Sequence, residues 1–422
     1  MNFKKTTLKN GLRLITIPMK ETQTATIMIM VGVGSRYETE KEAGLSHFIE
    51  HMFFKGTKKR PTTLAISEEL DAIGGEFNAF TGKDKTSYYA KADAKHIETI
   101  LDVVSDMYLN SKIESKEIQR EKGTILQELN MYEDIPMRNV EEVFEKLLYS
   151  GNNLGREIIG YKKTIKAFQR KNFLDYMQRF YVSNDTVVCV AGKIDEAKII
   201  RQIRKYFSSM EKKTKPENSP IKENQKQPHL KIKFKKTDQT HLMLGTRAYK
   251  QNNKDRYALA LLAIILGGNM SSRLFIEVRE RRGLAYYVKT NVEAFEDCGY
   301  LATNAGVEHR NLKITLKIIL QEYAKISHKK VKERELQKAK DFLKGKVIMN
   351  MEASDEVAMF FIEQAIMKKK IMTLKEKFSL IDKVSSDDIL RVAQDIFQDN
   401  KLNLAIVGPH KNFSGLKNLL KL

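Results

Sequence analysis

Two histidines four residues apart, with a glutamate between them, are the side chains of this 422-residue sequence best arranged to do chemistry. In the segment GLSHFIEHMFF, from Gly44 to Phe54, His47 and His51 sit one helical turn apart. Both imidazoles therefore leave the same helix face, with Cβ atoms about 5–6 Å apart. At that spacing two ring nitrogens can bind one Zn²⁺ at about 2.0–2.1 Å. Glu50 follows His47 by three residues and lies on the same side, where it can take a proton from zinc-activated water. The order H-x-x-E-H reverses the more common metalloprotease motif and is itself a zinc-protease signature.

A catalytic zinc needs a third protein ligand and a position left open for water. The helix expected from Ser115 offers Glu117, Glu121, Glu128 and Glu133. Glu121 and Glu128 are two turns apart and share a face, which also carries apolar residues. An inward carboxylate there is costly unless it is paired or metal-bound. Glu117 reads as an ordinary surface residue, and spacing alone does not choose between Glu121 and Glu128.

The elements that must position these groups come in two related halves. The stretch from Met210 to His229 is the most polar in the chain and holds three of its seven prolines, which marks a linker. On either side, FYVSNDTVVCVAG from Phe180 resembles FQDNKLNLAIVG from Phe397. HIETILDVV from His96 parallels NLKITLKII from Asn311, and KEIQREKGTILQEL from Lys116 parallels RELQKAKDFLKGKV from Arg334. All these pairs recur at nearly one offset, so the chain reads as a duplicated domain. The expected boundaries are 1–209, a linker at 210–229, and 230–422.

Within the first half, strands are expected over Thr24–Val33 and on both sides of a turn at Thr81–Asp84. Helices are expected over Glu42–Phe54 and Ser67–Ile73, then from Lys95 and from Ser115. Strands followed by helices in each half predict an α+β fold: two homologous domains, each an antiparallel sheet packed with helices. The repeat also tests the site. The positions corresponding to His47, Glu50 and His51 fall within LAIILGGN (Leu262–Asn269), while Glu121 maps to Ala339 and Glu128 to Lys346. The second half thus lacks every candidate ligand, which predicts one metal site per chain.

Composition narrows the function class. Lys+Arg number 74 against 53 Asp+Glu, a formal charge of +21, but the lysines are dispersed and accompany no nucleic-acid-binding signature. No nucleic-acid partner is therefore expected. The longest apolar run, Tyr257–Leu266, is about half of a bilayer span, so no membrane role is expected either. The first residues carry neither an apolar stretch nor a small-residue cleavage site. A cytoplasmic prokaryotic chain, or a processed organellar one, is expected from this. Cys189 and Cys298 read as reduced core residues.

Taken together, these residues resemble the pitrilysin family of inverted-motif zinc peptidases, and most of all its half-length branch, which includes the mitochondrial processing peptidase β subunit. The likeness covers essentially the whole chain. The family's distal glutamate, 76 residues after the motif, coincides with Glu128. The resemblance thus implies His47, His51 and Glu128 as zinc ligands, Glu50 as general base and Glu121 as support for the ligand shell. GGEFNAFTGKDKTSYY (Gly74–Tyr89) is similar to the family's active-site edge strand, which implies Asn78, Ala79 and Phe80 as peptide-pairing residues. LGGNMSSRLFIEVRERRGLAYYV (Leu266–Val288) matches the segment whose Arg and Tyr contact substrate, here Arg279 and Tyr286. The neighbouring Arg281 and Arg282 read as solvated surface charges. The resemblance further implies a homodimer enclosing a chamber, with sites completed in trans and unfolded peptides or flexible protein segments as substrates. It leaves two other readings: a non-catalytic scaffold of the same fold, or a catalytic subunit needing a different partner chain.

Overall fold

The computed structural model describes residues 2–367, 370–411 and 415–422. In the first half the strands are β1 (Lys4–Thr7), β2 (Arg13–Pro18), β3 (Thr24–Val31), β4 (Glu76–Thr81), β5 (Thr86–Asp93) and β6 (Thr186–Gly192). The helices are α1 (Leu45–Met52), α2 (Thr63–Asp71), α3 (Ile97–Asn110), α4 (Ser115–Asp134), α5 (Pro136–Leu148), α6 (Lys162–Ala167), α7 (Arg170–Phe180) and α8 (Glu196–Phe207). The second half repeats the strands as β7 (His229–Phe234), β8 (Thr240–Ala248), β9 (Ala285–Ala294), β10 (Gly299–Val307) and β11 (Leu402–Gly408). Its helices are α9 (Arg256–Gly267), α10 (Leu312–His328), α11 (Glu333–Asn350), α12 (Ser354–Ile366), α13 (Leu374–Asp382) and α14 (Ser386–Ile396). The α+β organisation is duplicated, with five strands of the first half matched in the second. Among the described residues, no helix is long and apolar enough to cross a membrane.

The two sheets share one topology over five strands, and β1 is an additional edge strand of the first. The first runs β1-β2-β6-β3-β5-β4 and the second β7-β11-β8-β10-β9. Neither is purely antiparallel, which corrects the sequence expectation: β2 pairs β6 in parallel, and β7 pairs β11 in parallel. The reason is non-local. The last strand of each half inserts between two earlier strands, so β6 separates β2 from β3 and is antiparallel only to β3.

The chain forms two compact units, and each takes a helix from the other half of the sequence. Unit 1 is Met1–Leu129, Arg156–Asn218 and Val347–Leu374; unit 2 is Asn130–Gly155, Ser219–Lys346 and Lys375–Leu422. In unit 1, α12 covers one face of the sheet, packing Val357, Phe361 and Ile362 on Ile15, Ile17, Met28, Met30 and Cys189. The alternate residues Ile27, Ile29, Val188 and Val190 are buried too, and α3 packs on β3 and β5. A strand covered on both faces must be apolar throughout, which is why β3 and β6 read as continuous hydrophobic runs. In unit 2, α5 does the same work, with Val140, Phe144 and Leu148 against Met243, Tyr300 and Val407. The opposite face, Leu242, Leu244 and Leu301, packs within the core that includes α9, α10 and α14.

The polar linker carries no regular structure, yet it is fastened. Lys215 reaches Asp185 at 2.8 Å and lies 4.2 Å from the centre of the Tyr37 ring in unit 1. In unit 2, the Ile221 N–H donates to Asp297 at 2.9 Å and Gln225 donates to the Asn400 carbonyl at 2.7 Å. Cys189 and Cys298 are both buried free thiols.

Candidate metal centre

The motif lies on α1, whose ends are set by sequence. Gly44 precedes it with φ of +95°, a backbone conformation that an L side chain rarely adopts. A Cβ there would also lie 2.5 Å from the Ile159 carbonyl oxygen. Leu45, Phe48, Ile49 and Met52 are fully buried and fix the rotation of this short helix. Its first N–H groups are met by a buried carboxylate from upstream: Glu38 accepts from Gly44 N and from Ser46 N, each at 2.7 Å. Burial is the largest influence on the Glu38 carboxyl and pushes it up to about 8, against the pull of those two donors.

That rotation turns His47, Glu50 and His51 away from the apolar stripe. The two imidazole centroids are 4.6 Å apart. Glu128, from α4, faces both rings: its Oε1 is 3.6 Å from His47 Nε2 and its Oε2 is 3.5 Å from His51 Nε2. These separations exceed a hydrogen bond. They match the spacing of two ligands on one tetrahedral ion, about 3.4 Å for metal–ligand bonds of about 2.05 Å. One donor atom from each of the three residues lies within 4.8 Å of the others. Glu121 is not part of this group.

Glu121 has a different place. Its Oε1 lies 2.8 Å from His51 Nδ1 and its Oε2 lies 2.7 Å from Lys55 Nζ. A carboxylate on Nδ1 fixes that nitrogen as the donor and leaves the Nε2 lone pair directed to the centre. Burial raises the Glu121 carboxyl, but His51 and Lys55 outweigh it and hold it below the usual range. At His51, burial lowers the imidazole, yet Glu121 and Glu128 prevail and push it up to about 9. Two neutral-capable imidazoles and a carboxylate, with the outer nitrogen of one ring already bonded, form a donor set that fits Zn²⁺.

Glu50 is half-buried, and burial is the main reason its carboxyl is raised; the Thr81 hydroxyl and the two imidazoles oppose that shift. Thr81 Oγ1 donates to Glu50 Oε2 at 2.5 Å. Thr81 ends β4, the edge strand that carries Asn78, Ala79 and Phe80. The Ala79 N–H is met by Asn78 Oδ1 at 2.8 Å.

Arg279 and Tyr286 belong to unit 2. Arg279 lies on a π-helical turn, Phe275–Glu280, where the Arg281 N–H bonds the Ile276 carbonyl five residues back at 2.9 Å. Its guanidinium sits 5.0 Å from the Phe275 ring centre and 5.5 Å from that of Tyr286. Tyr286 is 75% exposed. Arg281 and Arg282 are exposed and ion-paired with Glu277. At the position of α1, unit 2 has α9, whose Leu259, Leu262, Ala263 and Leu266 are buried. Ala339 is buried at the position of Glu121. Glu38, Lys55 and Thr81 were not singled out by sequence reasoning. The lysine one turn beyond His51 was the only local signal among them.

Residues 13–162 match the family model described as insulinase (peptidase family M16), and residues 167–343 match the M16 inactive domain. An uncharacterized zinc protease of Rickettsia felis is 35% identical, over 97% of this chain and 98% of its own. The Bacillus subtilis uncharacterized zinc protease YmxG is 32% identical, over 97% and 99% respectively. Among solved structures, a protease from Helicobacter pylori superposes with a TM-score of 0.91 at 22% identity, covering 97% of this chain and 99% of that one.

Proposed function

The chain belongs to the M16 peptidase family, that of insulinase and pitrilysin, and on that premise we propose that it is a zinc-dependent endopeptidase of unfolded peptides and flexible protein segments. The observation that carries the reading is the pair of Nε2–carboxylate separations, 3.6 and 3.5 Å, between Glu128 and the two histidines. His47, His51 and Glu128 are the residues that would hold Zn²⁺, which supplies Lewis acidity towards water and the scissile carbonyl when bound. Glu50 accepts the proton of the attacking water and returns it to the leaving amine. Its raised carboxyl suits both steps, since a base must also serve as the acid that follows. Glu121 orients His51. Asn78, Ala79 and Phe80 pair with an extended substrate by adding it to the edge of the sheet. Arg279 and Tyr286 donate to the carbonyl oxygen as charge develops on it.

The working form in this reading is a homodimer whose chains enclose a chamber in the bacterial cytoplasm, with the Arg/Tyr pair supplied in trans. Mixing inactive Glu50→Gln with inactive Arg279→Ala subunits then restores part of the activity. Subunits that exchange without regaining activity would exclude completion in trans. A scaffold of this fold usually carries a damaged ligand set or Arg/Tyr pair, and the grouping of His47, His51 and Glu128 supports the catalytic reading instead.

The reading is tested on a mixed pool of unfolded peptides. Purified protein cleaves the pool, a chelator abolishes cleavage, and zinc restores it. Protein that holds one zinc per chain and still cleaves nothing would turn attention to a scaffold or to a missing partner chain.

A further inference from the structure

We propose that Thr81 is a positioning residue that ties the substrate strand to the general base, so that peptide pairing and base orientation form one mechanical unit. The inference rests on the peptidase reading of Glu50 and β4. Strand side chains alternate between faces, so Phe77, Ala79 and Thr81 share one face of β4. That face meets the α1 side of unit 1: the Phe77 ring stacks on Phe54, just past α1, at 6.3 Å between centroids. At its end, the Thr81 hydroxyl bonds Glu50 Oε2. A threonine hydroxyl has one proton, and here the carboxylate receives it. This fixes one Glu50 oxygen, and in the peptidase reading the other serves the attacking water.

The strand end that carries Thr81 is itself held from behind. The turn after it closes with the Gly82 N–H on the Lys85 carbonyl at 2.8 Å. The Ser35 and Arg36 N–H groups bond the carbonyls of Gly82 and Lys83 at 3.2 and 3.1 Å. The Arg36 guanidinium, 1% exposed, reaches Asp84 at 2.9 Å. The chains approach so closely that a Cβ on Gly34 would lie 2.2 Å from the Gly82 oxygen. Four residues after Gly34, the same segment supplies Glu38, which anchors the start of α1. One stretch, Gly34–Glu38, therefore grips both the strand that carries Thr81 and the helix that carries Glu50. The free edge of β4 is left for the peptide, and a peptide that orders β4 also orders the donor on Glu50.

The test separates hydroxyl from shape. Thr81→Val keeps the shape and removes the donor; Thr81→Ser keeps the donor and removes a methyl group. With zinc-loaded protein and a quenched fluorescent peptide, Thr81→Val lowers kcat about 10- to 100-fold with little change in KM. Thr81→Ser stays within about threefold of wild type. Peptide affinity is read separately by anisotropy in the inert Glu50→Gln background, where adding Thr81→Val leaves Kd unchanged. Wild-type kcat in Thr81→Val would overturn the inference while the peptidase reading stood. So would Thr81→Ser as impaired as Thr81→Val, or a Kd that rises in step with the lost activity. A zinc-loaded wild type that cleaves nothing would remove the peptidase reading, and this inference with it.

Discussion

Units 1 and 2 carry the same five-stranded pattern, to which unit 1 adds β1, and differ in what their helices present. In unit 1 the short α1 turns two imidazoles and a carboxylate out of an apolar stripe, and Glu128 from α4 closes the set. In unit 2 the corresponding place holds α9, twelve residues long, with eight of them buried. The inserted last strand and the parallel pair are common to both. The frame is thus indifferent to the chemistry, which depends on a few helix-borne side chains and on the braces that aim them. Unit 2 departs from a plain copy in its own way, with the π-helical turn under Arg279.

This contrast can be broken most sharply at a ligand. His51→Ala removes one of the three proposed donors, and zinc-restored peptide cleavage should fall by about 10³ or more, with zinc lost on dialysis. Zinc content that survived dialysis would show that the ion sits elsewhere.

A smaller effect is expected one layer out. Lys55 meets Glu121 at 2.7 Å, and no lysine is needed where unit 2 has the buried Ala339. Lys55→Met should weaken zinc binding about tenfold, measured by competition with a chromophoric chelator, and Lys55→Arg should weaken it less. Equal affinity in all three proteins would leave Lys55 as a surface charge.

The smallest effects compare the two helix starts. Glu38→Ala leaves the Gly44 and Ser46 N–H groups buried without their acceptor, and should cost on the order of 3 kcal/mol in urea unfolding of zinc-free protein. Asp255 precedes α9 and pairs with Arg391, whose side chain is 50% exposed. Arg391→Met should cost less than about 1 kcal/mol. Equal shifts at the two positions would deny α1 its special anchoring.

Much of this was legible in the sequence because it is periodic or local. The His47–Glu50–His51 face follows from helix geometry, and the duplication follows from one recurring offset. Thr81 closes β4 at the turn expected there. What was not legible depends on partners far apart in the chain. The insertion of β6 between β2 and β3 is invisible to any window that reads β3 alone. The exchange of α5 and α12 between halves leaves two ordinary amphipathic helices whose sheets cannot be told from their patterns. The Thr81–Glu50 bond spans 31 positions, and Thr81 reads locally as the opening residue of a turn. The choice of Glu128 over Glu121 needed the carboxylate geometry or the family spacing, since both share one helix face.

The most direct measurement takes zinc-loaded Glu50→Gln beside wild type, with metal content and peptide cleavage determined on the same samples. The expected result is one zinc per chain in both and a rate at least about 10³ lower in the variant. A near-wild-type rate, or a variant that loses zinc together with activity, would contradict the assignment of Glu50 as the base beside a centre held by His47, His51 and Glu128.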